Sequence, residues 1–486
     1  MVAVSALLLL ATALCCSAAN TSSNATSPAA AVTAADACSQ LQSSLGTSMV
    51  QTQSSGPEYS IGANFAWSTF NDEENFQPTC IVFPNSTQDV QTAMKVIFQN
   101  GADYAVQAGG HSGMTGWNTV ENGVLISFIN MNSTSYDAEC NTITLEPGIH
   151  WGDASSILQQ YGVSPVGGRI ATVGTGLLLG GGISYLSPAQ GYAADNYVSL
   201  DVVLVNGTLV TATVDNEYSD LFKALKGGGN RFGIYPNSSS EALLAALAHF
   251  IHDTTDPNAV LATTIRTTWE GDSSTEIELD AILVYNGTEA AFNQSFAEFL
   301  SIPFTSAAPQ PLSYLDLLEA VTFPDGLGTL FAASALSGVP VNASIEQYLE
   351  TYRLYNNFTE NFASSTDIAF TLLDFSPVPQ TQIQAGYEKG TNPIVPPLGS
   401  GGYHEILFQV TYLANVTQPP DNVEQGRQFW IDSAPSTPGL PFFLNEADAN
   451  QQVLATYSGY DFLKEVYAKY DPTRFNVEHT QGPLGL

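Results

Sequence analysis

Positive charge is scarce in this sequence. Its 486 residues hold 12 Lys and Arg against 46 Asp and Glu, a formal net charge of −34. Such a field repels nucleic acid and anionic membrane surfaces, so neither is expected as a partner. Apolar runs are short, and none reaches the ~20 residues that a membrane-spanning helix needs. Histidines number six and cysteines five. No Cys/His pair has zinc spacing, so no metal site is expected. Two nucleotide fingerprints are also missing. No G-x-x-x-x-G-K-[ST] occurs, which argues against a P-loop nucleotidase. No G-x-G-x-x-G opens a βαβ unit in the usual context, which argues against an NAD-type dehydrogenase.

Hydrophobic residues make up 44 % of the chain, enough for large cores. The length suggests two or three domains. An apolar run from Val2 to Ala13, followed by Ser17-Ala18-Ala19, reads as a secretory signal over residues 1–19. Asn24, Asn85, Asn132, Asn206, Asn237, Asn286, Asn293, Asn342, Asn357 and Asn415 each open an N-x-S/T triplet, which fits a secreted, extracellular glycoprotein. Cys15 and Cys16 would leave with the signal. In an oxidising compartment the remaining three favour one disulfide, Cys38–Cys80. Cys140 would then be a buried structural thiol rather than a nucleophile.

Residues 20–37 are rich in Ala, Ser and Thr and are expected to be disordered. Ile81–Pro84, Tyr104–Val106, Gly123–Phe128 and Thr142–Leu145 read as strands. A helix capped near Ser86 follows the first of them, and Trp151–Gln160 reads as another helix. Asn206-Gly207 between two β-rich runs predicts a hairpin over 199–213. Glu241–His252 has helical apolar spacing, and Ile277–Val284 and Ile406–Tyr412 read as strands of a second domain. Three glycine clusters punctuate the first half: Gly109-Gly110-His111-Ser112-Gly113, Thr172–Gly182, and Gly227–Gly233 with Ile234 beyond. One such cluster can be a plain turn. Three of them with a histidine point to a large phosphate-bearing cofactor, because glycine lets backbone N–H groups approach oxygen closely.

In order, Ala108-Gly109-Gly110-His111-Ser112, Glu146-Pro147-Gly148 with Trp151-Gly152, Thr172-Val173-Gly174 with Gly180-Gly181-Gly182, Gly191–Asn196 and Leu225–Ile234 resemble the berberine-bridge-enzyme-like FAD-linked oxidases. These belong to the vanillyl-alcohol-oxidase / p-cresol-methylhydroxylase superfamily. Leu444–Asp448 and Lys469–Pro472 continue the resemblance. It is strong over about residues 60–234 and looser over 235–486.

The resemblance implies an α+β fold with a two-lobe FAD-binding domain (PCMH-type) and an antiparallel-sheet substrate domain. The expected division is an N-terminal segment 20–72, the FAD domain 73–234, the substrate domain 235–432 and a return segment 433–486 that completes the FAD domain. It implies FAD bound covalently through His111, with a hydrogen-bonded loop histidine as the alternative. Gly109, Gly110, Ser112, Gly113, Val173, Gly174 and Gly176 would lie around the pyrophosphate, and Gly182, Asn196, Ile234 and Asn445 are further cofactor contacts. Some members carry a second, cysteinyl link. Ile170 stands at that place here and cannot form it. Val173 matches a position that governs access of O2, where valine goes with oxidases; a plain core valine is the alternative reading. A monomeric oxidase acting on an alcohol-bearing small molecule or saccharide, with O2 giving H2O2, is the implied activity; the alternatives are a flavin dehydrogenase using another acceptor and a shortened form that binds FAD but is inactive or poorly folded.

For the base, strand alternation puts Glu405, Leu407, Gln409 and Thr411 on one face and His404, Ile406, Phe408, Val410 and Tyr412 on the other. Glu405 falls where some members carry a glutamate base, with Gln409 beside it. Tyr403 and Tyr412 are alternatives, and a solvent-facing strand end is the plainer reading of Glu405. One departure stands out. In the family the chain continues further after the counterpart of Ile234, whereas here it runs straight into Tyr235-Pro236-Asn237. A lost segment there could leave unpaired sheet edges.

Overall fold

The computed structural model describes residues 28–227, 240–269, 275–302, 311–320 and 326–482. The signal segment, Asn24, Asn237, most of the third glycine cluster, Ile234 and the junction after it lie outside these residues.

Val50–Gln51 (β1), Cys80–Val82 (β2), Tyr104–Gln107 (β3) and Val124–Ser127 (β4) form a sheet in the order β1-β2-β4-β3. β2, β4 and β3 run parallel. Parallel strands need a crossover, and helix Thr87–Asn100 supplies it between β2 and β3. Ser86 caps this helix by accepting from the Asp89 N–H, and Gly101 ends it in the left-handed region at φ 64°. Pro28–Leu45 forms a helix, which corrects the expected disorder over residues 28–37; residues 20–27 lie outside the described residues. Alanine is the strongest helix former, and Ala34, Ala37, Cys38 and Leu41 are buried. Ala37, Cys38 and Leu41 share a core with Val90, Ala93 and Met94. The Cys38–Cys80 disulfide ties this helix to β2, Cα to Cα 5.9 Å.

Two hairpins follow, Thr134–Asp137 (β5) with Thr142–Leu145 (β6) and Ser199–Val203 (β7) with Leu209–Thr213 (β8). The second turns at Gly207, φ 82°, as the Asn-Gly pair predicts. Cys140 sits at the turn of the first hairpin and is exposed with a free thiol, which corrects the expectation of a buried one. The reason is its place in the turn, where side chains face solvent.

Ala259–Trp269 (β9), Thr275–Tyr285 (β10), Gly328–Ser337 (β11), Ile368–Val378 (β12) and Tyr403–Tyr412 (β13) form an antiparallel sheet in the order β10-β9-β12-β13-β11. Helices Ser240–Asp253, Glu346–Asn361 and Asp421–Ser433 cover one face, through a core that includes Leu247, Tyr355, Phe408 and Trp430. The other face turns toward the glycine loops. The architecture is the expected α+β one.

The C-terminal segment closes the molecule. Phe475 joins the core of the first sheet beside Ile97 and Tyr104. Arg427 is buried and binds Asp448 Oδ2 at 2.7 Å, Glu424 Oε2 at 2.7 Å and the Phe331 carbonyl at 2.8 Å. Removing one partner of such a cluster leaves uncompensated buried charge. Arg427→Ala is therefore expected to lower stability by about 3–5 kcal/mol in urea denaturation. A loss below about 1 kcal/mol, the range of exposed pairs, would contradict this role.

Candidate functional site

Loop 108–113 leaves β3 and must turn within a few residues. Gly110 has φ 72°, and a Cβ there would run into the Phe65 carbonyl oxygen. Its own carbonyl accepts from Trp67 N–H at 2.9 Å and Asn118 Nδ2 at 2.9 Å. Gly109 lies against Gly174 of the second loop, where a Cβ on Gly109 would stand 2.7 Å from the Gly174 Cα. Two clusters distant in the chain thus meet backbone to backbone, which only glycine permits. A Cβ on Gly113 would stand 2.7 Å from the Phe331 ring of β11.

His111 is buried and stacks on Trp67, ring centroids 4.5 Å apart and planes within 9°. Burial, with His150 nearby, pushes its pKa down to about 3. The ring is therefore uncharged at neutral pH. Ser112 is fixed through its carbonyl, which accepts from Asn71 Nδ2 at 3.1 Å.

In the second loop, Thr175–Gly180 winds as a 3₁₀ turn and Gly181 and Gly182 adopt positive φ. Their carbonyls accept from Ala194 and Ala193 N–H at 2.9 and 2.8 Å. Gly176 is roomy: a Cβ there would meet nothing nearer than the Ala108 Cβ at 3.9 Å. Val173 and Ile170 pack with Trp151, Leu177 and Tyr185. Asn445 Nδ2 donates to the Leu177 carbonyl at 3.2 Å, so the return segment reaches this loop. Asn196 has its side chain committed: Nδ2 donates to the Tyr192 carbonyl at 3.0 Å and Oδ1 accepts from Lys389 Nζ at 2.5 Å.

Facing the loops is β13, buried along its whole length. Glu405 and Gln409 are fully buried on its loop-side face, so Glu405 is not a solvent-facing strand end. Glu405 Oε1 accepts from Tyr192 Oη at 2.8 Å and Tyr403 Oη at 3.3 Å. Burial pushes the Glu405 carboxyl up to about 8, against the opposing pull of those two phenols and Arg169. Gln409 Nε2 donates to Thr411 Oγ1 at 2.8 Å. Tyr412 is on the opposite face, in the helix-packed core, with its hydroxyl on Glu424 at 2.8 Å. It is corrected as a candidate base, because odd and even residues of a strand point to opposite sides.

Residues without an assigned role from sequence complete the site. Tyr192 comes from the Gly191–Asn196 segment, and nothing local links it to Glu405, 213 positions away. Glu446 is buried, and burial followed by repulsion from Asp374 holds its carboxyl well above the usual range. Arg169 donates to Ser376 Oγ at 3.0 Å.

The implied FAD can be tested against these groups. Glu405 Oε2, Gln409 Oε1, Asn445 Oδ1 and both Glu446 carboxyl oxygens are buried without a protein partner. Unsatisfied buried polar atoms are costly and call for an occupant. A ring with both N–H groups and acceptor atoms fits them, and the paired glycine loops fit a backbone-held diphosphate. The residues present fit the cofactor.

Comparison with known proteins agrees. Residues 78–213 match a family described as an FAD binding domain. An FAD-dependent monooxygenase of Arthrobotrys oligospora is 30 % identical over 436 residues, covering 82 % of this chain and 80 % of the relative. The carbohydrate oxidase of Microdochium nivale superposes with a TM-score of 0.69 at 18 % identity, over 92 % of this chain and 100 % of that one. Berberine bridge enzyme from Eschscholzia californica superposes with a TM-score of 0.67 at 16 % identity, over 92 % and 99 %. At those identities the structural likeness is one of fold.

The raised Glu405 pKa makes stability depend on pH. Between the usual glutamate pKa and about 8, the unfolded chain is ionised and the folded one keeps its proton, so stability falls as pH rises. Above that window the loss is constant. Glu405→Gln removes this titration. The variant should melt like the parent near pH 4.5 and above it by a growing margin toward pH 8, about a few kcal/mol. A margin independent of pH in thermal melts would contradict the assignment.

Proposed function

Because this chain belongs to the FAD-linked oxidoreductases and has the fold of berberine bridge enzyme, we propose that it is an oxidase for an alcohol-bearing small molecule or saccharide. In this reading FAD is held by residues 73–234 and the return segment 433–486, and substrate by residues 235–432. The cofactor is bonded through His111 alone, since Ile170 offers no second attachment. Bound FAD would supply the hydride acceptor and, once reduced, the two electrons that turn O2 into H2O2.

The chain's own residues do the rest. Glu405 accepts the substrate hydroxyl proton as the carbon-bound hydride departs, so that a C–OH becomes C=O with its proton and electron pair accounted for. The observation that carries the reading is the Glu405 Oε2 atom, buried and without a protein partner on the face turned to the glycine loops. A buried carboxyl raised to about 8 is matched to proton transfer near neutral pH. Gln409 and Asn445 would orient ring and substrate through their own unpaired oxygens. His111, uncharged and wedged against Trp67, is suited to a covalent bond because its nitrogen lone pair is not protonated. In this reading Val173, packed with Trp151, Leu177 and Tyr185, would leave O2 its access to the flavin. The Cys38–Cys80 disulfide and the exposed Asn357 sequon support an extracellular location. A monomer is the simplest assembly for this reading.

A second reading follows from the Arthrobotrys oligospora relative, named a monooxygenase: one oxygen atom of O2 would enter the product. The two readings differ in products. In a screen of sugars and alcohols, the oxidase releases one H2O2 per carbonyl formed, whereas label from 18O2 in the product would favour the monooxygenase. Glu405→Gln should lower kcat/KM about 10²–10⁴-fold. His111→Ala should let flavin separate from the acid-denatured chain, while the parent keeps it. Flavin lost equally by both proteins would sink the covalent link.

A further inference from the structure

The two carboxyl oxygens of Glu405 have unlike surroundings. Oε1 accepts from Tyr192 Oη at 2.8 Å and from Tyr403 Oη at 3.3 Å. The two phenol oxygens also stand 2.8 Å apart, so with the Tyr192 proton on Oε1 the single Tyr403 proton is shared between the Tyr192 oxygen and the more distant Oε1. Oε2 is equally buried and has no protein partner. Turning the carboxyl over would break the Tyr192 bond and lose the longer, shared Tyr403 contact, both of which lie on Oε1.

Tyr192 is itself held on several sides. Its N–H donates to Asp195 Oδ2 at 2.9 Å, and Asn392 Nδ2 holds both oxygens of Asp195 at 2.9 and 3.1 Å. Its ring lies against Phe443, centroids 6.4 Å apart. Tyr403 is fixed by strand β13, two residues before Glu405 on the same face. The clamp is thus built from four separate stretches of chain: the Gly191–Asn196 segment, the loop with Asn392, β13 and the return segment.

We propose that Tyr192 is a positioning residue: with Tyr403 it clamps Oε1 of Glu405, so that Oε2 alone is presented to the substrate hydroxyl as the proton-accepting atom. This rests on the reading of Glu405 as the base. With its hydroxyl engaged by Glu405 Oε1 and Tyr403, Tyr192 acts through the carboxyl.

Donors to an oxygen favour its ionised form. The other groups around Glu405 are Arg169, which favours ionisation, and Glu446 and Tyr457, which are disfavoured as anions beside it. Asp374, on β12, acts on Glu446 in turn. None of these is altered by a change at Tyr192. Tyr192→Phe keeps the ring and deletes only the hydroxyl.

The test measures kcat/KM against pH for the holoenzyme and for Y192F, Y403F and E405Q. Thermal melting against pH is measured for the same proteins and for Y192F/E405Q. Y192F is expected to move the ascending limb of the rate profile upward by about one to two pH units, because a hydrogen bond to a charged group is lost. KM should stay within about twofold, since no substrate contact is removed. Y403F, with the longer bond, should move the limb less. In melting, the pH-dependent part of the Y192F effect should disappear when residue 405 is already glutamine. An unmoved limb in Y192F, or a melting effect that persists unchanged in the E405Q background, overturns the clamp. A fully active E405Q overturns the base reading instead, and the melting comparison then decides the clamp by itself.

Discussion

Three parts of the chain meet at Phe331. Its ring fills the space that a side chain on Gly113 would need, beside the loop that carries His111. Its carbonyl accepts from Arg427, which also holds Asp448 of the return segment. Its strand, β11, pairs with β13 so that Phe331 stands opposite Gln409. One residue of the antiparallel sheet therefore sets the distance between the His111 loop, the Glu405 face and the segment bearing Asn445 and Glu446. Because protein interiors are close-packed, a shift at this point would be felt at each of the others.

The site gathers groups that a stable core would avoid. Glu405, Glu446, Gln409 and Asn445 are buried with oxygen atoms left unpaired. Each opposes folding unless an occupant satisfies it. The opposite face of the same strand is ordinary core, with Ile406, Phe408, Val410 and Tyr412 among the helix side chains. The contrast across a single strand separates function from stability: the helix side holds the sheet together, and the loop side accepts strain for chemistry. The glycine loops follow the same division. Gly109 and Gly174 provide closeness, and Gly110, Gly181 and Gly182 provide backbone turns that other residues resist.

Much of this is legible in the sequence. Alternation sorts Glu405 and Gln409 from His404 and Tyr412 without any knowledge of the fold, since the period of a strand is two. The glycine clusters and the order of motifs point to FAD. The Asn206-Gly207 turn and the Ser86 cap are local signals with local outcomes. Sequence and structure part where packing overrides composition. Residues 28–37 look like linker, yet Ala37, with Cys38 and Leu41 after it, finds the Thr87–Asn100 helix to pack on. Cys140 looks like a core thiol, yet it falls on a hairpin tip.

By itself the sequence determined the periodicities, the turn chemistry, the lack of a cysteine at Ile170 and the motif set that marks an FAD-linked oxidoreductase. These are properties of neighbouring residues, and local geometry is enough to read them. Only the tertiary structure decided that Tyr192 bonds Glu405, that Gly109 touches Gly174, and that burial raises the Glu405 carboxyl to about 8. Those contacts join residues far apart in the chain. Their energies depend on how much water is excluded around them, and that is settled only when the sheet, the loops and the return segment close on one another.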